Sequence, residues 1–223
     1  MIKNTTSQLI FETIYIVLAI IGTIASLGYF NKTFVPEFYI YYTNISNYTC
    51  LIVMICCLNE TIKNANLNKN DYVSFCPRLN FICTIIIIMT FVVFNSSLFM
   101  GYSIKEYALS LNSLCFHLIL PIMFTLHWLI FFERGNIHLI DPLLAIIFPI
   151  LYITFVSIRA LLIESTASLK YPYFFLNIPQ IGLIKFFAWI LLLIFIMLCI
   201  GFSFYLIDSL SKKSNYKAIK TIN

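Results

Sequence analysis

Residues 181–206 read IGLIKFFAWILLLIFIMLCIGFSFYL and hold one charged side chain, Lys185, in 26 positions. As an α-helix that run would be about 39 Å long, more than the roughly 30 Å of a bilayer's hydrocarbon core. It reads as a transmembrane helix. Working outward, five further runs of similar length and polarity cover residues 9–29, 38–58, 79–100, 114–132 and 143–163. The expected fold class is therefore all-α, an integral membrane bundle of six transmembrane helices in a single domain spanning 1–223, ending in a basic tail over 207–223. Composition agrees. The chain of 223 residues is 61% hydrophobic and 10% charged, with a mean hydropathy of +0.94. A soluble domain carries roughly 25% charged residues.

The first span is preceded by Lys3 and resembles a secretory signal in outline. Its apolar run exceeds a typical h-region and contains Glu12, which favours a retained helix. Orientation follows from the basic residues. With a cytoplasmic N-terminus, Lys3, Lys63, Lys69, Arg78, Arg134, Lys212, Lys213, Lys217 and Lys220 fall inside, against Lys32, Lys105, Lys170 and Lys185 outside. That excess places both termini in the cytoplasm. The net charge of +5 is thus a topology signal, and no nucleic-acid partner is expected. Abundant Ile, Asn and Lys with little Gly point to an AT-rich bacterial genome and so to a plasma membrane.

Seven cysteines, with no CxxC pair, read as small apolar packing residues, with palmitoylation of Cys56 or Cys57 as the alternative. Asp141-Pro142 reads as an N-cap followed by proline at the first helical position. Pro121 and Pro149 fall inside spans, where proline kinks a helix.

Polar residues inside the spans are few. In YYTNISN (41–47), Thr43, Ser46 and Asn47 share a helical face with Tyr39 one turn earlier. Such residues fit helix packing as well as a site. In SLCFHLILPIMFTLHW (113–128), Ser113, His117, Pro121 and Thr125 share a face, whereas His127 projects elsewhere and reads as structural. Asn95 lies near the end of the third span, Arg159 near the end of the fifth, and the loop YPYFFLN (171–177) follows. Its Tyr171 and Tyr173 suit an interfacial aromatic belt. With the topology above, Thr43 lies about 8 Å and His117 about 5 Å below the outer face. Asn95, Arg159 and the aromatic loop reach the same layer, and Glu12 is the exception near the inner face.

A hydroxyl and an imidazole at one depth are the minimum set for acyl transfer, since threonine needs a base and histidine is the usual one near neutral pH. Thr43 is the candidate nucleophile and His117 its base. Asn44, Asn47 and Asn95 are candidate oxyanion donors, while Arg159, Tyr171 and Tyr173 are candidates for holding substrate. The expected substrate is a membrane lipid ester. Glu106 and Glu164 are the acids nearest the outer face that could orient His117. No metal is expected, because the three histidines lie ten and eleven residues apart without an HExxH or cysteine cluster. No other cofactor is expected. A carrier or sensor binding a small molecule or lipid in the same layer is the alternative, and a structural partner of another membrane protein a third.

Thr43 within YYTNISN, His117 within HLILP and the YPYFFLN loop ahead of the last span resemble, in order and spacing, the androgen-induced family of six-span membrane proteins. They are closest to its prokaryotic relatives with a YPYPFL-like loop. The resemblance covers the second span to the sixth. It implies threonine-dependent hydrolysis of fatty acid esters of hydroxy fatty acids, with Thr43 as nucleophile and His117 as base. The chain departs from the pattern in reading YPYFF, where a second proline is usual, and in having His127-Trp128, where Asp-Trp is common in the prokaryotic relatives.

Overall fold

The computed structural model describes residues 4–32, 34–66, 75–96, 110–163 and 169–220, with the backbone alone at residue 31 and over 212–220. Among these residues there is no strand. Six helices are long and apolar enough to cross a bilayer, which makes this a multi-pass integral membrane protein. They are α1 (Thr5–Ser26), α2 (Tyr42–Asn66), α3 (Pro77–Asn95), α4 (Leu111–Phe131), α5 (Asp141–Leu162) and α6 (Leu183–Lys220). Short 3-10 turns at Tyr29–Asn31, Pro36–Ile40 and Phe174–Leu176 join them, with one helical turn at Ile178–Ile181.

Hydrocarbon is the medium these helices require. Ile184 on α6 is 87% exposed and Leu161 on α5 is 85% exposed, in rows that include Leu191 and Phe195. Facing water, such rows would form one apolar patch far larger than a soluble monomer displays.

α1 to α4 form the packed core. α1 lies along α2 and meets α4, while α3 stands between α2 and α4 and touches α6. Small residues permit the closest approaches. A Cβ on Gly22 of α1 would lie 2.6 Å from the Phe116 ring, and one on Gly201 of α6 would lie 3.0 Å from Pro142. The main length of α5 is held differently, by long side chains. Tyr152 donates its hydroxyl to the carbonyl of Ile40 at 2.8 Å, and rings from Phe148 and Phe155 pack edge-on against Tyr42 and Tyr39.

Several expected limits shift for local reasons. α2 begins at Tyr42, not at residue 38, because Tyr41 is extended (ψ 131°) and separates it from the 3-10 turn. Tyr39 therefore belongs to that turn and not to the Thr43 face. α3 starts at Pro77 and ends at Asn95, with Ser96 extended (ψ 135°); residues 97–100, expected to finish this span, lie outside the described residues, as do Lys3, Lys69, Lys105, Glu106 and Glu164. α5 breaks at Ala145 and Ile146, one turn before Pro149. Pro149 cannot donate to the carbonyl of Ala145, which instead accepts from Phe148 N at 3.3 Å. Asp141 opens α5 but does not cap it. Its buried carboxylate accepts from Arg78 Nε (2.8 Å) and Nη2 (2.6 Å), and from the backbone N–H of His138 at 2.8 Å. Residues 207–220, read as the start of a tail, continue α6 without interruption.

Candidate functional site

A cavity of about 700 Å³ lies between the first turns of α2, the end of α3, the start of α4, and the inward faces of α5 and α6. Its volume is that of a site for a medium-sized organic ligand. Thr43, Asn44, His117 and Tyr173 all line it. The sequence layer that joined these residues by depth is thus partly one physical site. Asn47, Asn95, Arg159 and Tyr171 stand outside its lining.

Each lining residue is placed by its own local structure. Thr43 is the second residue of α2, where main-chain N–H groups have no partner within the helix. Tyr173 lines the same cavity, close enough for the Thr43 hydroxyl and the N–H groups of Thr43 and Tyr42 to act on its phenol. Burial pushes the Tyr173 phenol from the ordinary 10.0 up to about 12, with the Thr43 hydroxyl pulling the other way. Tyr173 therefore remains a neutral O–H donor at physiological pH. Its ring stacks on Phe175 at 5.2 Å and meets Tyr41 and Tyr152 edge-on. Asn44 reaches back to the Phe38 carbonyl at 2.6 Å and so ties the 3-10 turn to α2.

His117 sits where α4 departs from α-helical geometry, in a π-helical segment Cys115–Ile119. Single π-turns of this kind are frequent at functional sites. Its Nδ1 lies 3.1 Å from the carbonyl of Ser113. A carbonyl only accepts, so Nδ1 carries the proton and Nε2 keeps its lone pair. Nε2 has no protein partner among the described residues, and the ring stacks on Phe94 with centroids 3.4 Å apart. This is the form of histidine that takes up a proton.

Pro121 explains the distortion. It has no N–H for the carbonyl of His117 four residues earlier. Within the π-turn, Leu120 donates to Cys115 and not to Phe116, so Phe116 also loses its helical partner. Two successive carbonyls are left open, and an asparagine from a neighbouring helix fills each. Asn47 of α2 donates to Phe116 O at 3.0 Å and Asn95 of α3 to His117 O at 3.0 Å. The same two amides donate to their own helices, to Thr43 O and Phe91 O, both at 2.8 Å.

Arg159 serves the loop. It donates to the carbonyls of Leu169 (3.1 Å) and Lys170 (3.4 Å) and to the Tyr39 hydroxyl (3.3 Å). Two atoms of lining residues that sequence reading did not single out, Tyr42 Oη and Asn112 Oδ1, are buried without a hydrogen-bond partner among the described residues. Nothing in their sequence neighbourhood marks them.

A second polar cluster occupies the other end of the bundle, where α1 starts. His127 Nε2 lies 2.8 Å from Glu12 Oε1, and neither side chain has any exposure. Gln8 Nε2 donates to the same oxygen at 2.8 Å, and Thr61 Oγ1 lies 3.2 Å from it. Glu12 and His127 are therefore partners, which depth along α1 and α4 could have suggested. Nearby, Asp208 Oδ2 of α6 accepts from the backbone of Gly135 at 2.9 Å and of Ile137 at 3.3 Å, and Arg134 lies over the Trp128 ring. Among the described residues no group of three or more His, Cys, Asp or Glu is placed to hold a metal ion. Comparison with models of protein families, with curated proteins and with solved structures finds no match to this chain.

Proposed function

We infer that this protein is a membrane-embedded lipid ester hydrolase in which Thr43 is the nucleophile and His117 the base. The observation that carries the reading is that Thr43 and His117, from two different helices, line one cavity of about 700 Å³ with the lone pair of His117 Nε2 left available. The sequence resemblance to the androgen-induced family points the same way. His117 Nε2 takes the Thr43 proton as Oγ1 attacks the ester carbonyl. The tetrahedral adduct then collapses, breaking the ester C–O bond, and the imidazolium returns its proton to the leaving alcohol. Water repeats the sequence on the acyl-threonine, releasing the acid and restoring Thr43.

Asn47 and Asn95 have both amide protons engaged with main-chain carbonyls. The donors left for the oxyanion are the second amide proton of Asn44, the Tyr173 hydroxyl and the N–H groups of Tyr42 and Thr43 at the start of α2. In this reading both termini are cytoplasmic, and the cavity belongs to the outer leaflet of a bacterial plasma membrane. Engagement of the asparagines also favours a second reading, a carrier or sensor that holds a lipid or small molecule in the cavity without turnover.

The test uses purified protein in nanodiscs with fatty acid esters and a fluorophosphonate probe. Thr43→Ala should abolish labelling and turnover, and His117→Ala should reduce both by roughly 100-fold or more, the scale of a lost general base. Turnover that survives both substitutions refutes the hydrolase. Saturable ester binding with no turnover in the unsubstituted protein supports the carrier or sensor.

A further inference from the structure

We propose that Asn47 and Asn95 are positioning residues that build the π-turn of α4 and thereby set where His117 stands relative to Thr43; the catalytic part of this inference rests on the hydrolase reading above. The two open carbonyls are consecutive, Phe116 and His117, and both result from the same proline. A carbonyl without a donor is strongly disfavoured in hydrocarbon, where no water replaces the missing N–H. The π-turn is therefore sustained by both side chains, Asn47 from an enclosed position and Asn95 from an exposed one.

Asn47 has the more direct geometry. One amide nitrogen bonds the carbonyl of Thr43 at 2.8 Å and that of Phe116 at 3.0 Å. The residue bearing the hydroxyl and the residue before the imidazole are thus joined through a single NH2 group. Asn95 fastens the carbonyl of His117 itself to α3, whose Phe94 ring lies against the imidazole. Asn47 is fully enclosed, at 1% exposure, so water has no access to take its place. Together the two amides hold the base-bearing turn from two sides.

The proposal makes a double-substitution test possible. Pro121→Ala restores an N–H for the His117 carbonyl. It also lets the turn relax to α-helical geometry, in which Leu120 donates to Phe116. In thermal unfolding in nanodiscs, Asn47→Leu and Asn95→Leu should each lower Tm in the protein that keeps Pro121. In the Pro121→Ala background each loss should shrink to less than half, because the carbonyls then have main-chain donors. Equal losses in the two backgrounds overturn the proposal, and this readout needs no enzymatic activity.

The positioning role has its own readout. Asn47→Leu, Asn95→Leu and Pro121→Ala should each lower kcat for ester hydrolysis by about 100-fold with KM within about twofold, as expected for misplacement of a reacting group by about 1 Å. A folded Asn47→Leu protein with unchanged kcat removes the positioning role. If the unsubstituted protein shows no turnover, the hydrolase reading fails, while the Tm comparison still decides whether the asparagines sustain the turn.

Discussion

At the scale of single residues, polar groups define this protein because each must find a partner away from water. Glu12 and His127 do so with each other; removing Glu12 takes away the partner of His127 Nε2, and removing His127 leaves Glu12 with only Gln8 and Thr61. Glu12→Leu or His127→Phe alone is expected to destabilise by about 1–3 kcal/mol, the cost of a buried polar group that loses its partner. The pair of changes together should cost less than either, since Gln8 and Thr61 still bond one another at 3.1 Å. Thermal unfolding of the three variants checks this. Tyr173 gives a pH-dependent counterpart. Its phenol loses its proton at about 12 in the fold but at 10.0 in an open chain, so its contribution to stability is complete below pH 10 and declines as pH rises from 10 to 12. Melting curves across that interval should fall less steeply for Tyr173→Phe than for the unsubstituted protein. The sequence grouped Thr43 and His117 in one outer layer and both line the cavity, but the depth arithmetic behind that grouping does not hold, since Thr43 is the second residue of α2 and His117 the seventh of α4. A comparable grouping, applied to the other end of the bundle, would have joined Glu12 to His127. The roles of Asn47 and Asn95 were not legible, since an amide near an active hydroxyl reads as a donor to substrate until the carbonyls it already serves are seen.

At the scale of helices, the departures from regular geometry share a cause and are informative for that reason. Pro121 and Pro149 each remove an N–H. In α4 the result is a π-turn bridged by asparagines, and in α5 it is a break of one turn at Ala145 and Ile146. Hydropathy located all six spans but smoothed over both features, because a window of apolar residues carries no record of which carbonyl lacks a donor. It also began α2 four residues early, including the aromatic 3-10 turn whose composition matches a helix end. Gly22 shows how closely α1 must approach the π-turn. Gly22→Ala would place a methyl 2.6 Å from Phe116, so it should cost about 1–3 kcal/mol by overpacking and, on the proposed hydrolase reading, lower turnover as the turn shifts. Unfolding and esterase assays on one preparation read both. Asp208 sets the turn after α4 by taking two backbone N–H groups. Asp208→Ala is expected to remove about 1–3 kcal/mol and to make the segment 133–140 more sensitive to protease.

At the scale of the whole molecule, the expected orientation of the six helices can be tested by chemistry. Cys76, exposed at the start of α3, should react with a membrane-impermeant maleimide in inverted vesicles and not in intact cells if the termini are cytoplasmic. The charge distribution supplies an expectation for that orientation, whereas the cavity had no sequence signal at all, because an empty volume is a property of how α5 and α6 stand away from the core and has no residue of its own. α6 gives that volume a mechanical consequence. Ile190, Leu193, Ile194 and Met197 form part of the cavity wall, and Gly201, a little further along, bears directly on Pro142 and Ile85. Gly201 is then a fulcrum, with an arm of about 10 Å to Ile194 and one of about 29 Å to Lys220 at 1.5 Å per residue. A rigid α6 turning about that point would magnify a displacement of the cavity wall roughly threefold at its far end. Paired spin labels on α1 and on the terminal turns of α6 should record that swing when the cavity fills.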